Sequence, residues 1–272
     1  MDDLGPLCAG IDPHPALLAH WGLDETVQGL EVFAMTCVEA FAGTAAVVKP
    51  QSAFFERFGS AGIAVLERTL QGLREAGTLT VLDVKRGDIG STMAAYAHAY
   101  LSQDSPLRAD AITVSPFLGF GSLRPALDLA RESGRGVFVL ALTSNPDGPR
   151  VQHATLDGSS VAGSVVDGVT SQNLTDRRAG VLGSIGLVVG ATVGSAVQTL
   201  GLDLAAANAP LLAPGVGAQG ATAEDLRSVF GAALPNVLAS SSREILGAGP
   251  DGLALRAAAR HTARQLNAIL ST

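Results

Sequence analysis

The chain predicts an α/β fold, a single (β/α)8 TIM barrel spanning residues 1–272. Three observations carry that prediction. Eight short apolar runs rich in β-formers alternate with Ala/Leu-rich stretches, and each intervening stretch is long enough for a helix and two loops. Several runs are continuous in Val, Ile, Leu and Ala, as in strands covered on both faces of a parallel sheet. No linker or low-complexity tract divides the chain. A doubly wound open sheet is the alternative reading of the same alternation.

The first run, 7–12, ends on Asp12, and the second, 45–50, carries Lys49 near its end. The third, 79–85, closes on Asp83 and Lys85; the fourth is 111–116; the fifth, 136–144, ends on Ser144. The sixth is 183–192, the seventh, 210–216, runs into glycines at 215, 217 and 220, and the eighth, 236–242, precedes Arg243. The longest irregular stretch, 145 to about 180, is polar and Gly/Ser-rich before a helical pattern over 161–174. This loop-and-helix insertion follows a barrel strand, the position of many lids. The first run begins so close to Met1 that a helix covering the bottom of the barrel is expected to be missing or to lie elsewhere.

Composition narrows the functional classes. A net charge of −7 with no basic face disfavours nonspecific nucleic-acid binding. There is no long uncharged apolar segment and no secretory pattern at the N-terminus, so a cytoplasmic protein without a membrane span is expected. Cys8 and Cys37 stand apart in apolar stretches and read as buried structural thiols. His14, His20, His98, His153 and His261 show no ligand spacing, so no metal site is expected.

The polar residues at the run ends fall at one rim of the predicted barrel, the C-terminal rim that holds active sites in this architecture. Only two of the eighteen Lys and Arg residues are lysines, Lys49 and Lys85, and both are in that set. Lys is a compact charge that can release a proton, whereas Arg stays charged. The sharpest segment is Asp83-Val84-Lys85-Arg86-Gly87-Asp88-Ile89-Gly90-Ser91-Thr92. Two-residue periodicity places Asp83 and Lys85 on one face of the strand, as neighbours of opposite charge. A strand-end salt bridge would produce the same pair. Gly215-x-Gly217-x-x-Gly220 matches a dinucleotide fingerprint, but it follows the seventh run rather than the first. That placement fits a barrel phosphate site, with backbone N–H groups and a helix N-terminus facing the anion.

The run Thr80-Val81-Leu82-Asp83-x-Lys85-x-x-Asp88-Ile89-x-x-Thr92 resembles the signature of orotidine 5′-phosphate decarboxylases. Gly10-Ile11-Asp12-Pro13, Val48-Lys49-Pro50-Gln51, Leu142-Thr143-Ser144-Asn145-Pro146, Pro214 to Gly220 and Ser242-Arg243 resemble further family segments in the same order. The Gly-Ile-Asp-Pro and Thr-Ser-Asn-Pro versions are similar to the longer-chain bacterial branch. The resemblance implies conversion of orotidine 5′-monophosphate to uridine 5′-monophosphate and CO2, the last step of de novo synthesis of that product, with no metal or organic cofactor. It implies that Lys85 stabilises and protonates a carbanion at C6, and that Asp83 lies near the substrate carboxylate. Lys49 and Asp88 complete an alternating Lys–Asp chain, and Asp88, Ile89 and Thr92 reach the neighbouring site of a homodimer. Asp12 is implied to accept ribose hydroxyls and Ser144 to read the pyrimidine edge, with Gln219 and Arg243 gripping the phosphate and Pro214 among the substrate-binding residues.

Two rivals remain at this level. Sugar-phosphate enzymes of the same superfamily, such as keto-gulonate-phosphate decarboxylases and hexulose-phosphate synthases, share Asp-x-Lys-x-x-Asp but need Mg²⁺. Their second-strand position is typically acidic, where this chain has Lys49. A non-catalytic nucleotide-binding barrel is expected to have lost part of the charged set, and all four members are present.

Overall fold

The structure, a computed structural model, describes residues 4–216 and 221–270. Eight parallel strands close into a barrel: β1 Leu7–Ile11, β2 Val47–Pro50, β3 Leu79–Arg86, β4 Ala111–Val114, β5 Gly136–Leu142, β6 Ile185–Val189, β7 Leu211–Pro214 and β8 Val237–Ser241. Every strand neighbours its sequence predecessor, and β8 closes on β1. β1, β2, β4, β6 and β8 are buried along their whole length, which is why their sequences are mostly apolar rather than alternating, with Lys49, Thr113, Ser240 and Ser241 as buried polar exceptions. Seven of the eight predicted runs overshoot a strand end by one to three residues, several at Gly, Pro, Ser or Thr positions where ladder pairing stops, and the third falls one residue short of Arg86.

The chain divides into two compact units, Met1–Val84 with Gln103–Asp110 and Ser240–Thr272, and Lys85–Ser102 with Ala111–Ala239. In the first, β1 pairs with β2 in a register that sets Gly10 opposite Lys49, and β2 pairs with β3 from Val47 opposite Leu79. Helix Val27–Phe41 begins at Thr26, whose hydroxyl accepts from the Gly29 N–H, and buries Leu30, Phe33, Cys37 and Phe41. Trp21 packs on Phe33 with ring centroids 4.1 Å apart and donates its indole N–H to the Leu246 carbonyl at 2.8 Å. Burying each such aromatic contributes about 1.5–3 kcal/mol before packing strain.

In the second unit, β4 to β7 pair in sequence order, with an irregularity in the β5–β6 ladder between Leu140 and Leu142. The 145–180 stretch is not irregular. It holds a short helix Gly148–Gln152, a hairpin pairing Thr155–Leu156 with Ser159–Ser160, and helices Val161–Gln172 and Leu174–Arg178. Asp157 and Gly158 turn the hairpin with φ of 53° and 84°, the Asp-Gly pattern of a two-residue turn with both central φ positive. Ser160 then caps the next helix by accepting from the Gly163 N–H at 2.9 Å. At its far end the fully buried Asn173 donates to the Ile185 and Ala207 carbonyls and accepts from the Ile185 N–H, so its burial leaves no polar atom unmet. No helix among the described residues is long and apolar enough to cross a membrane.

Candidate active site

In the first unit the ends of β1, β2 and β3 bring together Asp12, Lys49 and Asp83. Lys49 is buried on β2, with its ammonium 3.1 Å from Asp83 Oδ2 and 4.0 Å from Asp12 Oδ1. It also donates to Gln51 Oε1 at 3.2 Å. Burial alone would push the Lys49 pKa down, but the Asp12 and Asp83 carboxylates outweigh it and hold the pKa above the ordinary lysine value. This lysine is therefore a fixed cation at neutral pH. Cys8, on the same face of β1 as Gly10, is buried beside the group and hydrogen-bonded to Ser240; burial raises its thiol pKa to about 12, against the pull of Lys49. It remains a neutral thiol.

Gly10 explains why β1 can lie where it does. A Cβ built there would meet Ser242 Oγ at 1.9 Å and Ser242 Cβ at 2.8 Å, so only glycine admits the turn that leads to Arg243. Arg243 itself is exposed and opens the short helix Arg243–Leu246.

The second unit opens with Lys85, whose backbone departs from extended strand geometry. Lys85 has φ of 43°, a left-handed conformation that costs an L-residue about 1–2 kcal/mol. Its side chain is exposed, whereas Asp83 is buried. The turned backbone is held by a hydrogen bond from the Lys85 N–H to Thr113 Oγ1 at 3.0 Å, and Thr113 is buried on β4. Strain of this kind, held by surrounding structure, concentrates at functional positions. Arg86 points away, to the helix Gly90–Leu101: its guanidinium donates to Tyr100 Oη at 3.2 Å and lies 5.7 and 5.8 Å from the Tyr96 and Tyr100 ring centroids. Arg86 has a structural partner that its place in the motif did not disclose.

Asp88 is half-buried and accepts from the Ile89 N–H at 2.8 Å through Oδ1. Ile89 and Thr92 are exposed. Ser144 is exposed two residues past β5, in a segment pinned by its neighbours. Gln152 accepts from the Thr143 N–H at 2.9 Å and donates to Thr143 Oγ1 at 2.6 Å, and that hydroxyl donates to Asn145 Oδ1 at 2.6 Å. Gly190 passes so close that a Cβ there would lie 3.2 Å from Ser144 N.

Pro214 ends β7 half-buried, and Gly215 follows with φ of 100°. Gln219 lies outside the described residues. A bridge between Val216 and Ala221 brackets the segment, and helix Ala223–Phe230 follows. The N-terminus of that helix is occupied by a capping box, in which Asp225 accepts from the Thr222 N–H and hydroxyl and Thr222 accepts from the Asp225 N–H. The Thr222 backbone and side-chain hydrogen bonds hold the Asp225 pKa below the usual carboxylate value. With Glu224 and Asp225 in its first turn, this helix already has its anions.

Sequence reasoning named the charged positions and assigned no role to the residues that hold them: Gln51, Gly10, Thr113 and Gln152. Gln51 and Gly10 stand within quoted motifs, and Thr113 and Gln152 carry no signal outside the folded arrangement.

The comparisons with known proteins bear on this geometry. An orotidine 5′-phosphate decarboxylase of Salinispora arenicola is 62% identical over 268 residues, covering 98% of this chain and 94% of its own. The crystal structure of a candidate orotidine 5′-phosphate decarboxylase from Streptomyces avermitilis superposes with a TM-score of 0.94 at 57% identity, covering 100% of this chain and 93% of that one. OMP decarboxylase of Leishmania donovani, at 31% identity, gives a TM-score of 0.74 over 99% of this chain and 95% of its own. The model of the orotidine 5′-phosphate decarboxylase / HUMPS family matches residues 5–258, a span that includes every residue of the site described above, and this chain belongs to that family.

Proposed function

We propose that the protein converts orotidine 5′-monophosphate to uridine 5′-monophosphate and CO2 without a metal or organic cofactor. The observation that carries this reading is the buried Lys49 ammonium held 3.1 Å from Asp83, the carboxylate that opens Asp83-x-Lys85-x-x-Asp88. The named activity of relatives at about 60% identity over nearly the whole chain supports it. In the reaction the bond from C6 to the carboxylate breaks, its electron pair stays on C6 and CO2 leaves. The Lys85 ammonium stabilises that pair and then delivers the proton to C6, and solvent recharges the amine. Asp83 faces the substrate carboxylate, so that loss of CO2 relieves a like-charge contact. Lys49 stays charged throughout, which keeps Asp83 ionised and oriented.

Asp12 accepts ribose hydroxyls, Ser144 reads the pyrimidine edge, Gln219 and Arg243 grip the phosphate, and Pro214 belongs to the substrate-binding set. Asp88 completes the charged chain from the neighbouring subunit of a homodimer, with Ile89 and Thr92 lining the junction. Ile89 is 61% exposed, and Phe117 and Leu118 of the same unit are 79% and 52% exposed; apolar side chains left open in this way favour burial against a second copy. The 145–180 segment, whose hairpin leaves Leu156 exposed, closes over the bound nucleotide.

The test is the loss of orotidine-ring ultraviolet absorbance when EDTA-treated protein meets orotidine 5′-monophosphate. Turnover undiminished by EDTA is the expected result. Turnover that stops with EDTA and returns with Mg²⁺, or none at all in folded protein, would move the assignment to a sugar-phosphate substrate or a binding function.

A further inference from the structure

We infer that Gln51 is a positioning residue that keeps the Lys49 ammonium on Asp83 and off Asp12, so that the Asp12 carboxylate stays open to the ribose. The inference rests on the reading of Asp12 as the ribose acceptor. A lysine ammonium has three N–H donors and no acceptor. At Lys49 one is taken by Asp83 Oδ2 at 3.1 Å and one by Gln51 Oε1 at 3.2 Å, while Asp12 Oδ1 stands 4.0 Å away, beyond hydrogen-bond distance. Asp12 Oδ1 is buried and has no hydrogen-bond partner among the described residues. A buried carboxylate oxygen 4.0 Å from an ammonium is expected to close on it unless something prevents the approach.

Gln51 is built to prevent it. Its backbone N–H donates to the Ile11 carbonyl at 3.1 Å, fixing the residue next to Asp12. Its backbone pairs with Asp83 across the β2–β3 edge, and its Nε2 makes a longer 3.5 Å contact to the Asp83 carbonyl. The amide oxygen that receives the Lys49 proton is therefore tied to β1 on one side and β3 on the other. Gln51 sets both ends of the 4.0 Å gap. An amide suits this role better than a carboxylate on charge grounds, because the ammonium already faces two carboxylates and needs an acceptor rather than a third anion.

The experiment compares wild type, Gln51→Met and Gln51→Glu on orotidine 5′-monophosphate and on its 2′-deoxy and 3′-deoxy counterparts. Met removes the acceptor at similar volume, Lys49 closes on Asp12, and KM for the full ribonucleotide rises about tenfold with a smaller change in kcat. That penalty shrinks to about twofold or less on the deoxy substrate lacking the hydroxyl that Asp12 accepts. Glu restores an acceptor at the same reach and keeps the wild-type preference for the full ribose. A Met penalty equal on all three substrates, or a Glu variant that loses the ribose preference, would overturn the assignment. Should wild type turn over none of them, the functional reading fails, and the Gln51 assignment is decided separately by a crystal structure of Gln51→Met: Lys49 Nζ within about 3.2 Å of Asp12 Oδ1 upholds it, and a distance still near 4.0 Å overturns it.

Discussion

Lys49 is buried between carboxylates and Lys85 is exposed on a left-handed backbone, so the two lysines of this chain do different work. Lys49 is an electrostatic anchor. Replacing it with Met leaves Asp83 buried without its cation, and the expected loss of stability is about 3–5 kcal/mol. Its pH dependence follows from the direction of the shift. The folded-state pKa lies above the unfolded value of about 10.4. The stabilisation is therefore fully present below about pH 10.4 and is lost only as pH rises through the folded value. Urea denaturation of wild type and Lys49→Met is expected to give the same difference at pH 7 and pH 9, narrowing beyond about pH 10.4. Equal denaturation midpoints at pH 7 would show that the pair contributes nothing.

At the scale of elements, the charged residues at strand ends were legible because each stands as an interruption in an apolar run. Asp12, Lys49, Asp83, Lys85 and Ser144 all lie within three residues of a strand end. The backbone conformation of Lys85 was not legible. Period-two reasoning assumes extended φ throughout β3, and the left-handed Lys85 breaks the assumption at the residue where it mattered most. The cause is tertiary, since the hydrogen bond that holds the turn comes from Thr113 on β4. The hairpin in the 145–180 stretch was legible and missed: Asp157-Gly158 is a recognised turn pair, but its flanking strands are only two residues long and too polar to show alternation. Arg86 illustrates the converse, because proximity to a catalytic motif says nothing about direction, and its side chain goes to Tyr96 and Tyr100.

At the scale of the molecule, the barrel was readable because continuous apolar runs alternating with helices admit few closed solutions, and strand order follows sequence order. Whether a second copy completes the site is a different matter, since a single sequence carries no mark of which exposed residues would meet it. Mixing Lys85→Ala and Asp88→Ala proteins tests the shared site. If Asp88 crosses to the neighbouring subunit, each mixed dimer contains one intact site, and random exchange restores about a quarter of the wild-type activity. Mixed dimers without activity would place Asp88 in its own subunit's site.

In the proposed mechanism Lys85 supplies both the charge that stabilises C6 and the proton that C6 receives. The measurement that tests it most directly is kcat of Lys85→Ala on orotidine 5′-monophosphate at saturation, with the thermal melt of the variant recorded alongside. Loss of both roles predicts a fall of about 10⁴-fold or more, with the melt unchanged because the Lys85 side chain is exposed. A fall of less than about tenfold in folded protein would mean that another group does the chemistry.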